Sequence, residues 1–87
     1  MKKLGIIGAG QLGFMMILES KGLPISFNVL TDNINDPACK VADRIYTSKE
    51  YVSFVDDSDI VTFEFEHVDE NALKYADMKD KLRPNLK

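Results

Sequence analysis

The run Leu4-Gly5-Ile6-Ile7-Gly8-Ala9-Gly10-Gln11-Leu12-Gly13 constrains this chain more than any other stretch, because a short apolar segment enters a turn with glycine at 8, 10 and 13 and leaves as helix-forming sequence. A strand, turn and helix of this kind opens a βαβ unit. Gly8 allows the tight turn, Gly10 admits a ligand to bare backbone, and Gly13 lets the new helix lie close on its strand. The helix start then offers unpaired N–H groups and the positive end of its dipole to an anion. Glycine-rich turns also arise as plain packing solutions, so the turn is a candidate ligand site that its setting must support.

Length and charge narrow the alternatives. The 87 residues, 45% of them hydrophobic, suit one small domain over 1–87 with a modest core. A net charge of -3 and a pI near 5.0, without a dominant Lys or Arg patch, argue against nucleic-acid and anionic-membrane partners. Small anionic metabolites stay open, since a helix N-terminus binds them without net basic charge. The single Cys39 has no His or Cys beside it at metal-ligand spacing and reads as a spectator thiol in a reducing compartment. Met1-Lys2-Lys3 precedes apolar residues, but glycines interrupt that run and no small-residue cleavage site follows. No apolar stretch approaches the roughly 20 residues that span a bilayer. A cytoplasmic location is therefore expected.

The pattern predicts a parallel α/β layer structure. A first strand at about Lys3 to Ile7 is followed by a helix from about Gln11 to Lys21, with Gly22 as its C-cap and Pro24 preventing continuation. That helix carries two apolar stripes, Leu12, Met15 and Met16 on one and Phe14, Ile17 and Leu18 on the other. In so short a chain the stripe with Phe14 and Leu18 is expected to lack cover, which predicts self-association. Further strands are expected at Ile25 to Leu30, Arg44 to Thr47 and Asp59 to Phe65. Helical segments are expected at Ala38 to Asp43, Lys49 to Val55 with Tyr51, Phe54 and Val55 inward, and Glu70 to Met78. Leu82-Arg83-Pro84 reads as the start of a fifth strand. The expected fold is a Rossmann-like three-layer parallel sheet of about four to five strands.

The strand Ile60-Val61-Thr62-Phe63-Glu64-Phe65-Glu66-His67-Val68 carries the second signal. Period two puts Thr62, Glu64 and Glu66 on one face and Phe63, Phe65 and His67 on the other. Ligands of open parallel sheets gather at the carboxyl ends of the strands, where Glu64, Glu66 and His67 are expected near the glycine turn. A carboxylate there accepts hydrogen bonds from ribose hydroxyls or an amine; alternatively Glu64 or Glu66 caps a neighbouring turn. Glu66 is read as the functional acid, and His67 as a histidine satisfied by backbone. Asp56, Asp57 and Asp59 sit at the opposite end of that strand and read as a solvated, backbone-capping loop, with no metal site. Asp32 lies about twenty residues beyond the turn, where a nicotinamide-binding domain holds an acid for the adenosine ribose. A loop Asp making an Asx turn with Asn33 to Asn35 is the competing account.

Three segments taken together, Gly5 to Gly13, then Asp36-Pro37-Ala38 with Val41-Ala42-Asp43, then Asp59 to Val68, resemble the N-terminal domain of the 5-(carboxyamino)imidazole ribonucleotide synthase family of the ATP-grasp superfamily. They occur in family order and spacing across nearly the whole chain. The Gln-Leu pair after the second glycine and the Thr-x-Glu-x-Glu strand distinguish this pattern from ordinary dinucleotide folds. The resemblance implies an ATP-dependent ligase that carboxylates the exocyclic amine of aminoimidazole ribonucleotide, with bicarbonate as co-substrate. Its ATP and Mg2+ would be bound by an ATP-grasp portion that these residues do not supply. No catalytic, cofactor-binding or metal-binding residue is then expected in this chain, and alone it should be inactive.

For these residues the resemblance implies substrate binding: Gly10, Gln11 and Leu12 at the turn, with Gln11 and Leu12 near the nucleotide's phosphate, and Glu66 toward its ribose or amine. The implied partners are the ribonucleotide, the ATP-grasp portion and a second copy in a homodimer. The chain departs from the family pattern at Phe14, where Arg is common, and at Thr31, where an Asp usually ends the second strand; Asp32 is placed to substitute in part. The alternative is a small NAD(P)-type nucleotide-binding or regulatory module that uses Asp32.

Overall fold

The structure is a computed structural model that describes residues 2–64 and 69–84. Strand β1 (Lys2–Ile7) leads into helix α1 (Gln11–Glu19), followed by β2 (Ile25–Leu30), a 3-10 turn (Pro37–Lys40) and β3 (Arg44–Tyr46). A second 3-10 turn (Ser48–Glu50) runs into α2 (Tyr51–Asp56), then β4 (Ile60–Phe63) and α3 (Glu70–Met78). The described strands form one parallel sheet in the order β3-β2-β1-β4. Ile7 stands beside both Leu30 and Phe63, and Leu30 beside Tyr46, so all four strands end in one row. Loops that leave that row share one edge, where open parallel sheets bind their ligands.

Strand alternation divides the core between the two faces of the sheet. Ile6, Phe27 and Val29 point to the α1 side, with Ile17, Ala9 and Ala38. Ile7, Leu30 and Val61 point to the other side, where Phe54 and Val55 of α2 meet Ala72, Leu73 and Ala76 of α3. The sheet is thus covered on both faces, as the three-layer expectation requires. Leu82 forms a parallel bridge with Val61, fixed by Val61 N–H to the Lys81 carbonyl at 2.8 Å and Arg83 N–H to the Val61 carbonyl at 2.8 Å. The expected fifth strand begins there, outside β4.

Gly5 explains how α2 sits so close. A Cβ at Gly5 would come within 2.6 Å of Ser58 Oγ and 2.9 Å of the Phe54 ring, so the interior strand glycine admits the aromatic side chain. On the same face Asn28 is buried, and its Nδ2 donates to Ser58 Oγ and to the Asp57 carbonyl. That pairing is why a polar residue is tolerated in an interior strand.

Several boundaries differ from the sequence expectation. Helix α1 stops at Glu19, because the Ser20 amide turns to both the Met16 and Ile17 carbonyls and its hydroxyl also donates to Met16. Gly22, at φ +92°, shapes the following turn and is not the cap. The uncovered stripe of α1 also differs. Phe14 is half-buried against the core, while Leu12, Met15, Met16 and Leu18 are exposed, at 67% for Leu12 and 54% for Met15. Only Gly13 and Ile17 of this helix are buried, since the sheet reaches a narrow strip of it. Strand β3 ends at Tyr46 rather than Thr47, because Thr47 starts a capping box with Glu50. In α2 Phe54 and Val55 are buried as expected and Tyr51 is partly so.

Candidate functional site at the carboxyl ends of the strands

The glycine turn begins where Ile7 leaves β1. Gly8 has φ +106°, a conformation that L side chains rarely adopt, and its amide donates to the Leu30 carbonyl at 2.9 Å. Ala9 is fully buried, and its carbonyl accepts the Ala38 amide at 2.8 Å. The Asp36-Pro37-Ala38 segment is thereby explained. Pro37 starts the 3-10 turn, and Ala38 fits beneath the glycine turn, 3.5 Å from where a Cβ on Gly13 would stand.

The occupant of the turn is Glu64. This side chain leaves the end of β4, only 8% exposed, and its carboxylate accepts the Gly10 amide at 3.1 Å through Oε2 and the Gly13 amide at 2.6 Å through Oε1. These are the amides of the N-cap and of the third helical residue, the two donors that a capping box satisfies locally. Here one carboxylate, 54 and 51 residues away in sequence, satisfies both. Charge-assisted bonds of this type are stronger than neutral ones, and the anion complements the helix dipole. Glycine at both positions leaves room for it: a Cβ would lie 2.9 Å from Oε2 at Gly10 and 3.0 Å from Oε1 at Gly13, so a larger residue would push the carboxylate aside. The two amides between them, those of Gln11 and Leu12, have no partner among the described residues. Both residues are exposed.

Sequence reasoning places a carboxylate of this strand near the turn, and the one the structure brings to the turn amides is Glu64. Glu66 and His67 lie outside the described residues. Glu64, which the sequence allows as ligand contact or cap, caps the glycine turn itself. The available signal was a charged residue on the same strand face as Thr62, which stands beside Ile6 in the register and so faces the α1 side.

Beside the turn an open groove of about 450 Å³ is lined by Ile7, Gly8, Leu30, Thr31, Asp32, Asn33, Asp36, Ser48 and Asp69. Gly10, Gln11 and Leu12 are not in its wall, so the described residues do not bring all the expected contacts into one cavity. Its three carboxylates are already engaged. Asp32 accepts the Ser48 amide and hydroxyl, each at 2.8 Å, and these bonds hold its carboxyl below the usual range. Asp36 accepts the Thr31 hydroxyl at 2.7 Å, and Asp69 caps α3 through the Ala72 amide at 3.0 Å. Thr31, the departure from the family pattern, therefore closes its own loop: its Oγ also accepts the Asn33 amide. The Asx turn expected of Asp32 is made by Asn33, whose side chain accepts the Asn35 amide. Both oxygens of Asp32 are thus engaged by Ser48, on the wall of the groove.

The acidic run at the far end of β4 divides among separate partners. Asp59 accepts the Lys3 amide, Asp57 the Tyr46 hydroxyl and Asp56 the Tyr75 hydroxyl. Among the described residues no group of His, Cys, Asp and Glu is arranged to hold a metal. Burial, followed by the charge of Asp36, pushes the Cys39 thiol up, which is the reverse of an activated nucleophile. No described helix is long and apolar enough to cross a membrane.

Comparison with known proteins agrees with this architecture. N5-carboxyaminoimidazole ribonucleotide synthase of Saccharolobus solfataricus is 52% identical over 84 residues, which is 97% of this chain and 23% of that protein. The crystal structure of the phosphoribosylaminoimidazole carboxylase ATPase subunit from Aquifex aeolicus superposes with a TM-score of 0.86 at 47% identity, covering 95% of this chain and 25% of that one. The N5-carboxyaminoimidazole ribonucleotide synthetase from Thermotoga maritima gives a TM-score of 0.79 at 39% identity, covering 94% of this chain and 24% of that one. The chain thus spans about a quarter of the length of these relatives. The family model of the ribonucleotide synthetase preATP-grasp domain matches residues 1–87, and with the glycine turn, the Asp-Pro-Ala segment and the Glu64 strand meeting at one point, the chain belongs to that family.

Proposed function

We propose that this domain forms the ribonucleotide-binding part of an ATP-dependent ligase that carboxylates aminoimidazole ribonucleotide. The observation that carries the reading is a helix start, at the strand ends, whose exposed Gln11 and Leu12 have amides with no partner among the described residues, in a chain 52% identical to an N5-carboxyaminoimidazole ribonucleotide synthase. In this reading Gly10, Gln11 and Leu12 form one side of the substrate site, and Glu66, two residues beyond Glu64, reaches the ribose or amine from the other. The ligase's ATP-grasp portion binds ATP and Mg2+, and bicarbonate is the co-substrate. The chain's own residues bind and orient; they supply no group that activates a phosphate. The exposed face of α1, with Leu12, Met15 and Met16, provides contact area for that portion or for a second copy in a homodimer.

The test is Glu66→Gln in a ligase containing this domain. A large rise in KM for aminoimidazole ribonucleotide with an unchanged melting temperature supports a substrate contact. An unchanged KM with a lowered melting temperature makes Glu66 a cap and removes it from the site. The 87-residue chain alone should release no ADP in the presence of bicarbonate, ATP and aminoimidazole ribonucleotide.

A further inference from the structure

A glycine-rich turn before a helix is ordinarily an anion seat, because several backbone N–H groups converge at the positive end of a helix dipole. In this protein the seat holds an anion already, and the anion belongs to the chain. The Glu64 carboxylate is buried between Gly10 and Gly13, and both glycines lack the Cβ that would displace it. A phosphate approaching the remaining Gln11 and Leu12 amides would meet fewer donors than such a turn normally offers, with a like charge beside them. The neighbouring groove gives it no better reception. Asp32, Asp36 and Asp69 line the groove, and its described wall contains neither Lys nor Arg.

We propose that Glu64 is a specificity-determining residue: its carboxylate fills the anion seat of the glycine turn and turns phosphate away, so a ligand meets this edge through hydroxyl or amine groups. The role rests on the ribonucleotide reading only for the identity of that ligand. It revises the expectation that Gln11 and Leu12 lie near the phosphate: the turn faces the neutral part of the nucleotide, and the phosphate is held by groups other than the described ones. Exclusion also extends to dinucleotides, whose pyrophosphate needs the amides that Glu64 occupies.

Inorganic pyrophosphate is the probe, titrated into the full chain while the backbone amide signals of Gly10, Gln11, Leu12 and Gly13 are followed by NMR. In the wild type the Gly10 and Gly13 signals should stay fixed at millimolar pyrophosphate. In Glu64→Ala they should move, with a gain in affinity of about tenfold or more. A residue that merely supports the fold would lower stability without creating an anion site. Movement of Gly10 and Gly13 in the wild type would overturn the proposal, as would a folded Glu64→Ala chain that binds pyrophosphate no better. If Glu64→Ala does not fold, Glu64→Gln makes the same comparison, because it removes the charge and keeps the shape; its gain should be smaller, and no gain would again overturn the proposal. Titrating aminoimidazole ribonucleotide into a ligase that contains this domain separates the two claims. Failure to bind it would remove the substrate reading and leave the pyrophosphate comparison standing.

Discussion

The two faces of the sheet are built on different principles. On the α2 and α3 side, large side chains interlock: Phe54 is fully buried, meets Tyr46 edge-on with ring centroids 5.8 Å apart, and presses on the strand at Gly5. On the α1 side, beside the apolar Ile6, Phe27 and Val29, small residues bring backbone close at the helix start, where Gly13 lies against Ala38 and the buried Glu64 carboxylate. The first face gains its stability from apolar volume. The second gives up volume so that one charged side chain can reach a helix start, and it leaves the helix's outer surface apolar and exposed. The difference shows that the glycine pattern of the opening turn serves internal packing before it serves any ligand.

The comparison is tested first by Phe54→Ala, which should destabilise the chain by about 3–5 kcal/mol in urea unfolding, the range for an aromatic removed from a closed core. Glu64→Ala should cost less, about 2–3 kcal/mol, since it removes two hydrogen bonds to a charged acceptor and exposes the donors to entering water. Were Glu64→Ala the more damaging, the assignment of stability to the apolar face would be reversed. Gly13→Ala should cost about 1–3 kcal/mol, because its Cβ would stand 3.0 Å from Oε1. In the double variant Gly13→Ala with Glu64→Ala, the combined loss should fall short of the sum, since the atom that is crowded has gone. Strict additivity would separate the glycine from the carboxylate.

The outer surface of α1 should behave differently again. Replacing Leu12 and Met15 by Gln is expected to change stability by less than about 0.5 kcal/mol each, as exposed positions do. Self-association of the wild-type chain, followed by sedimentation at several concentrations, should weaken in the same variant. A wild type that stays monomeric at high concentration would show that this face is tolerated in water. The smallest effect is expected at Asp32. Ser48 holds its carboxyl below the ordinary aspartate value of 3.8, so the ionised form is favoured in the folded chain and the contribution is present above that value. It is lost as pH falls through the lower folded-state value, and Ser48→Ala should flatten the acid limb of a stability profile only slightly, because Asp32 is exposed.

The sequence made the architecture legible because its signals are local. Alternating β and α segments, the glycine turn and the Asp69-capped helix at Glu70–Met78 each announce themselves within a few residues. β2 at Ile25–Leu30 was bounded by Pro24 and the Asx-rich loop, and its limits match. The end of α1 was harder, since Ser20 competes for the Met16 carbonyl before Gly22 is reached. The site was legible only in part for a different reason. Glu64 acts across 51 and 54 residues of sequence, and no periodicity tells which of two alternate carboxylates on one strand face turns toward a particular helix. In the same way, the sequence offers Asp32 a ribose or its own Asx turn and not its actual partner, because Ser48 arrives from the far side of β3. The stripe expected to lack cover on α1 is exposed at Leu18 but not at Phe14, which packs against the core, and the Leu12, Met15 and Met16 surface is open to solvent as well.

The central claim is that the Glu64 carboxylate, and no ligand, satisfies the first donors of the glycine turn. Residue-resolved amide hydrogen exchange on the unliganded chain tests it most directly. The account predicts that Gly13 and Gly10 exchange far more slowly than Gln11 and Leu12, and that Glu64→Ala removes the difference. Gly13 exchanging as fast as Gln11 and Leu12 in the wild type would contradict it.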